Sequence, residues 1–272
     1  MIIQPTAVLT SFFAIASVVG IHAQTPLPRA HAHNDYEHAR PLHDALDRGF
    51  CSVEADIWFT QDGLLVAHDR KDLQPARTLQ ALYLDPLRQR VKANGGRVYS
   101  GGPPFYLLID VKAEAEATYA ALDKVLQGYA DILTAFTNDG RDEKAVTAIL
   151  SGNRASDTIA KQPLRYVGID GRPDNLDANP SPYLYPWISA NWTLLFRAHN
   201  DGTLSPAERE RLAAFVRRAH EQKRQVRFWA TPEKEALWQE LLAAGVDFIN
   251  TDKLDELQQF LLTHQGPKAN GK

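Results

Sequence analysis

Eight short apolar or alternating runs, most followed by a helix-patterned segment, predict an α/β protein built as a TIM (β/α)8 barrel. Two further observations point the same way. The chain has 272 residues, and removing an apolar leader leaves a length close to the roughly 250 residues of one such barrel. The residues able to do chemistry also fall at the ends of the strand-like runs or just beyond them, where barrels collect functional groups.

The strand-like runs lie at 29–33, 52–59, 106–112, 146–151, 166–170, 188–192, 226–230 and 248–251. Each is either alternating in polarity or a short apolar stretch bounded by turn residues. Helical patterns occupy 41–48, 79–93, 114–136, 155–161, 206–222, 234–244 and 255–263. Ser205 followed by Pro206 opens one of these as an N-cap with proline in the first turn, and Gly49 and Gly245 stand where two others should stop. A doubly wound open sheet is the competing arrangement of the same alternation.

The first 23 residues read as a signal peptide. Residues 7–21 are apolar or small, and Ile21-His22-Ala23 offers a small-residue cleavage point before Gln24, although no Lys or Arg precedes the run. The run is shorter than the ~20 residues that span a bilayer. The mature chain, 24–272, is therefore expected to be one exported domain, secreted or periplasmic, a monomer with no stable membrane insertion. A net charge of −3, from 30 basic and 33 acidic residues, carries no polybasic signature for nucleic acid or anionic membranes. Cys51 is the only cysteine, so an intrachain disulfide is impossible, and alternation places it opposite Glu54 and Asp56 as buried packing.

The chemistry concentrates between residues 31 and 112. His31-Ala-His33-Asn34, Glu54-Ala-Asp56, Thr60-Gln-Asp62-Gly63 and His68-Asp69 pack imidazoles and carboxylates into under forty residues. Glu54 and Asp56 alternate along one strand, so both leave the same face and can grip one hard cation. Asp110 and Lys112 share a face at the end of an apolar strand, adding a third carboxylate and a compact positive charge. Flanking imidazoles suit proton transfer to and from reacting oxygens. Taken singly, each residue has a plain structural reading: core histidine, surface acid, or an Asp110–Lys112 surface pair.

These motifs resemble those of the phosphodiesterases that share a barrel with phosphatidylinositol-specific phospholipase C, in particular the glycerophosphodiester phosphodiesterases. Those enzymes carry a His-led first strand, Glu-x-Asp on the second, a Thr-x-Asp-Gly turn and a closing His-Asp. The fuller string, with Pro41-Leu42-His43-Asp44-Ala45-Leu46 and the run 77–87, resembles more nearly the relatives named for altered inheritance of mitochondria. The chain departs from ordinary glycerophosphodiesterases in reading His-Ala-His-Asn in place of His-Arg-Gly, and in lacking a sizeable insertion after His68-Asp69. It also has Asp110 where they usually have Glu.

The resemblance implies a metal-dependent phosphoric diester hydrolase, with Glu54, Asp56 and Asp110 holding Ca²⁺ or Mg²⁺ and Lys112 facing the phosphate. It assigns acid/base work to a first-motif histidine and His68. Of the two first-motif histidines, His31 fits a His-x-x-Asn pattern found in the wider superfamily, which leaves His33 and Asn34 for substrate or metal contacts. Trp229 resembles an aromatic on the seventh strand that walls the substrate, and Gly245–Asp252 resembles a final-strand signature that closes the barrel. Arg154 and Arg172 lie on loops that can approach a phosphate. The expected partner is a small-molecule or lipid phosphodiester. The competing readings are an inactive barrel that binds a phosphodiester or sugar phosphate, and a metal-dependent sugar isomerase or aldolase; the Thr60–Gly63 turn leading to His68 argues against the last.

Overall fold

The computed structural model describes residues 24–264, so the leader and its cleavage point lie outside the described residues. Eight parallel strands close a barrel: β1 (Leu27–Ala32), β2 (Phe50–Thr60), β3 (Phe105–Val111), β4 (Val146–Gly152), β5 (Gly168–Gly171), β6 (Trp187–Asn191), β7 (Gln225–Trp229) and β8 (Phe248–Thr251). They follow one another around the ring in chain order, and β1 pairs with both β2 and β8, which excludes the open doubly wound sheet.

The helices cover the outside. They are α1 (His43–Asp47), α2 (Asp85–Ala93), α3 (Ala115–Gln127), α4 (Ser156–Lys161), α5 (Pro173–Ala178), α6 (Trp192–Leu195), α7 (Pro206–Glu221), α8 (Glu235–Ala244) and α9 (Leu254–His264). One large apolar core joins them to the barrel wall, and Leu108, Ile149, Trp187 and Phe248 form a second cluster with Tyr106 packed against it. Trp187 and Phe248 lie in the strands' inward-facing layer, with ring centroids 4.0 Å apart. Cys51 is buried, and burial pushes its thiol up to about 12, as packing requires.

Several boundaries differ from the sequence expectation for physical reasons. The 114–136 helix ends at Gln127: beyond Gly128 the chain tightens, Leu133 bridges to Val146 on the edge of β4, and Ala135–Phe136 pairs with Arg141–Asp142. The apolar residues with a helix-like pattern instead cover the start of β4, which β5 does not reach. The 79–93 segment is helical throughout but begins as a π-helix, Gln80–Leu84, just before Pro86, which has no N–H for the Leu82 carbonyl. Strand β2 runs past its expected end to Thr60 and returns antiparallel as Gly63–Val66, carrying His68 back to the barrel mouth. Ser205 caps α7 as expected, its hydroxyl accepting from the Glu208 amide at 3.2 Å.

Candidate active site

Strand register builds the site. Asp56 on β2 lies beside Asp110 on β3, and Asp110 lies beside Ser151 on β4, so three polar residues share one layer at the C-terminal rim. Glu54 sits one inward step below Asp56. One carboxylate oxygen from each of Glu54, Asp56 and Asp110 falls within 4.8 Å of the others. A cavity of about 270 Å³ opens over them, bordered also by His33, Asn34, His68, Lys112, Arg172, Arg227 and Trp229.

The acidic cluster fits a hard cation. Asp56 Oδ1 and Asp110 Oδ1 are buried and have no protein partner, an expensive state for a carboxylate oxygen unless a cation is there to meet it. Burial and the charge of Glu54 push Asp56 up to about 6, and burial, followed by the same neighbour, raises Asp110. Burial would raise Glu54 too, but Arg227 at 2.7 Å and His31 outweigh it and hold that carboxyl well below the usual range. Lys112 reaches Asp110 at 2.9 Å and Asp56 at 3.1 Å, and although burial opposes its charge, these two carboxylates raise its pKa.

Gly152 makes this proximity possible. Its φ is +68°, and a Cβ there would lie 1.9 Å from Asp110 Oδ1 and 2.4 Å from the Val111 carbonyl.

The two first-motif histidines occupy different environments. His31 is fully buried between Trp187 and Phe248, does not border the cavity, and is pulled down to about 4 by burial and then by Arg227. Its Nε2 lies 3.3 Å from Glu54 and its Nδ1 2.7 Å from Ser52 Oγ. Since a carboxylate only accepts, neutral His31 donates from Nε2 to Glu54 and accepts the Ser52 hydroxyl at Nδ1. The structure thus departs from the expectation that His31 does the acid/base work: the imidazole is buried off the cavity and donates to Glu54. His33, two residues on and just beyond β1, borders the cavity instead.

Both cavity imidazoles are oriented. His33 Nδ1 donates to Asp252 Oδ1 at 2.8 Å; burial lowers its pKa, but Asp252 and the nearby charge of Glu54 leave it raised overall. Tyr36 anchors His68. Its hydroxyl is 2.6 Å from Asp56 Oδ2, 2.8 Å from Asn34 Oδ1 and 3.1 Å from His68 Nδ1, while His68 Nδ1 is 3.2 Å from Asp56 Oδ2. Tyr36 has one proton to give, and Asp56 is the charged acceptor. The phenol oxygen then accepts from His68 Nδ1–H, which leaves the lone pair of neutral His68 on Nε2. Asn34 at φ +48° begins the short turn that sets Tyr36 in place, and Asp35 anchors that turn by accepting from the Leu42 amide and the Tyr83 hydroxyl.

The structure thus brings together Glu54, Asp56, Asp110, Lys112, His33, Asn34, His68 and Trp229, and separates His31 from the cavity. Sequence reasoning missed Tyr36, Asp252, Arg227 and Gly152. Asp252 had a signal, since it directly follows β8 at the same rim as the other site residues; Arg227 had none, because an inward arginine on an apolar strand reads as an exposed one.

A closed parallel barrel with an acidic cluster and two carboxylate-linked imidazoles at its C-terminal mouth defines a chain with the architecture of the barrel phosphodiesterases. A solved glycerophosphodiester phosphodiesterase from Parabacteroides distasonis shares the fold, with a TM-score of 0.53 at 16% identity over 88% of this chain and 98% of that one. The family model for the AIM6-like phosphodiesterase domain matches residues 21–170, and that for the glycerophosphoryl diester phosphodiesterase family matches 225–255. Altered inheritance of mitochondria protein 6 of Eremothecium gossypii is 32% identical over 86% of this chain and 69% of its own length. A homolog from Arthroderma benhamiae is 28% identical over 85% and 82%. The chain belongs to the AIM6-like phosphodiesterase domain family.

Proposed function

We propose that the protein is a divalent-metal-dependent phosphoric diester hydrolase acting on small, water-soluble diesters of the glycerophosphodiester or phospholipid head-group type. The observation that carries this reading is the pair of oriented imidazoles, His33 and His68, bordering one cavity with a carboxylate cluster that has two unpartnered buried oxygens. A cavity of about 270 Å³ suits a head group better than acyl chains. Among the described residues no helix is long and apolar enough to cross a membrane.

Glu54, Asp56 and Asp110 would hold the cation, and an all-oxygen donor set suits Mg²⁺ or Ca²⁺. When bound, it would neutralise charge on the phosphoryl oxygens. Lys112 places a second positive charge beside that position. His68 Nε2, with its lone pair directed by Tyr36 and Asp56, takes the proton from the attacking hydroxyl, either water or a neighbouring hydroxyl of the substrate. Phosphorus gains that oxygen and loses the ester oxygen. His33, kept protonated to higher pH by Asp252, gives its Nε2 proton to the departing alkoxide. Attack by water yields a phosphomonoester and an alcohol directly; attack from within the substrate yields a cyclic phosphate that water then opens. Trp229 would wall the alcohol side. We further propose that the chain is exported after loss of residues 1–23 and acts as a monomer, which amino-terminal sequencing and light scattering would check.

The test is turnover of a diester panel by purified protein supplied with Mg²⁺, Ca²⁺ or Mn²⁺, followed by phosphorus NMR to identify products. Release of monoester or cyclic phosphate, lost in both His33→Asn and His68→Asn, is expected. Binding of a diester with no cleavage under any of the metals would establish an inert binding barrel instead.

A further inference from the structure

The cavity continues past the acidic cluster toward β4 and β5, where it meets a second charged group. Ser151 lies beside Asp110 in register, and its Oγ is 2.9 Å from Asp170 Oδ2 on β5. Arg172 folds back over this pair. Its Nη1 donates to Asp170 Oδ2 at 2.8 Å and its Nη2 to Ser151 Oγ at 3.2 Å, while the side chain still borders the cavity. Behind it Arg154 donates from Nη1 to the Asp170 carbonyl, and its buried Nε has no partner. Asp170 therefore engages Arg172 through its carboxylate, as an ion pair, and Arg154 through its backbone carbonyl. Burial and the neighbouring Arg172 both pull Arg154 below its usual range, in keeping with two guanidinium groups held close together.

We propose that Arg172, backed by Arg154, forms an anion subsite that selects diesters carrying a further acidic group, a carboxylate or a phosphomonoester, on the alcohol away from the scissile bond. The location is specific. Arg172 follows β5, two strands around the rim from the Asp110 strand, so it meets a part of the substrate other than the phosphorus held beside Lys112. Arg172 Nη1 is held by Asp170 Oδ2 and by the Asp170 and Gly171 carbonyls, and Ser151 takes one Nη2 proton, which leaves Nε–H and the second Nη2–H as the donors for a carboxylate or phosphate. A cationic head group would meet like charge there.

This inference rests on the diesterase reading, and its test separates the two. The measurement compares kcat/KM for matched pairs: glycerophosphoinositol against its 4-phosphate, and glycerophosphoglycerol against glycerophosphoglycerate. Wild-type protein should favour the charged member of at least one pair, and which pair it is identifies the acidic group. Arg172→Gln should lower that charged-to-uncharged ratio about tenfold to a hundredfold, and Arg172→Lys should keep part of it. An unchanged ratio in Arg172→Gln, or a wild-type preference for the uncharged members, would overturn the subsite. If no diester is cleaved at all, the diesterase reading fails while the subsite is still decided by calorimetry. Inositol 1,4-bisphosphate should then bind more tightly than inositol 1-phosphate, or 3-phosphoglycerate more tightly than glycerol 3-phosphate, to wild type but not to Arg172→Gln, and equal affinities within both pairs in wild type would reject it.

Discussion

Replacing Gly152 with alanine should disable the acidic site and also strain the strands that carry it. The added Cβ would sit 1.9 Å from Asp110 Oδ1, where ordinary contact begins at 3.4 Å, so the carboxylate must retreat by about 1.5 Å. A displacement of about 1 Å in a catalytic group is enough to cost roughly a hundredfold in rate. The backbone must give as well: the same Cβ would lie 2.4 Å from the Val111 carbonyl oxygen and 2.7 Å from its amide nitrogen. Holding alanine at the φ of +68° found here adds about 1–2 kcal/mol, which for a domain of this size alone lowers Tm by roughly 2–8 °C. Two assays on one sample suffice: diester turnover at saturating Mg²⁺, and the rise in melting temperature as Mg²⁺ is titrated. Gly152→Ala should lose at least about a hundredfold in turnover and most of the metal-induced stabilisation, and should melt below wild type by more than the φ cost alone accounts for. Wild-type turnover with an undiminished metal response would refute the claim that Asp110 must stand where Gly152 lets it.

Three further outcomes follow from the same geometry. His33→Asn should lose about 10²–10⁴-fold in kcat with an unchanged melting temperature, whereas His31→Asn should be felt first in stability, because it strips the buried Ser52–His31–Glu54 chain of its centre; parallel kinetic and melting measurements distinguish the two. Asp252→Asn removes the carboxylate that raises His33, so the imidazolium deprotonates at lower pH and the alkaline limb of the kcat/KM profile should move toward acid; an unmoved limb would take His33 out of the acid role. Asp35 is raised by burial from 3.8 to about 7. Because the folded value is the higher one, its favourable contribution is complete below the unfolded value and is lost as pH rises through the folded value, a change of about 4 kcal/mol. Urea denaturation at pH 4 and pH 8 should show the wild type losing stability by that order relative to Asp35→Asn, and parallel pH dependences would contradict it.

The barrel was legible because its signals are local. Strand runs, the Ser205 cap and Gly245 each announce themselves within a few residues, and the strand–helix alternation leaves few topologies. Residues 128–136 were illegible for the same reason: Leu133 and Phe136 keep a helix-like apolar pattern, yet what decides their state is an edge of β4 that only the assembled sheet provides. At the site, alternation along single strands was enough to pair Glu54 with Asp56 and Asp110 with Lys112, and the β2–β3 register then joins the two pairs. Choosing between His31 and His33 was a different problem. The two share a direction along the chain, and what separates them is depth: one lies beneath Glu54 against Trp187 and Phe248, while the other clears the strand end and meets Asp252 from β8. Tyr36 was hidden similarly, since its contact with His68 depends on the left-handed turn at Asn34 and on the hairpin that returns from β2.

The central claim is that a divalent cation on Glu54, Asp56 and Asp110 is needed for diester cleavage between His33 and His68. Its most direct test is turnover of a glycerophosphodiester by chelator-treated protein as Mg²⁺, Ca²⁺ or Mn²⁺ is added back, with Glu54→Gln and Asp110→Asn run alongside. The account predicts no turnover in excess chelator, recovery with at least one cation, and a requirement for higher metal concentration in both variants. Full activity in excess chelator, or recovery at the same metal concentration in the variants as in wild type, would contradict it.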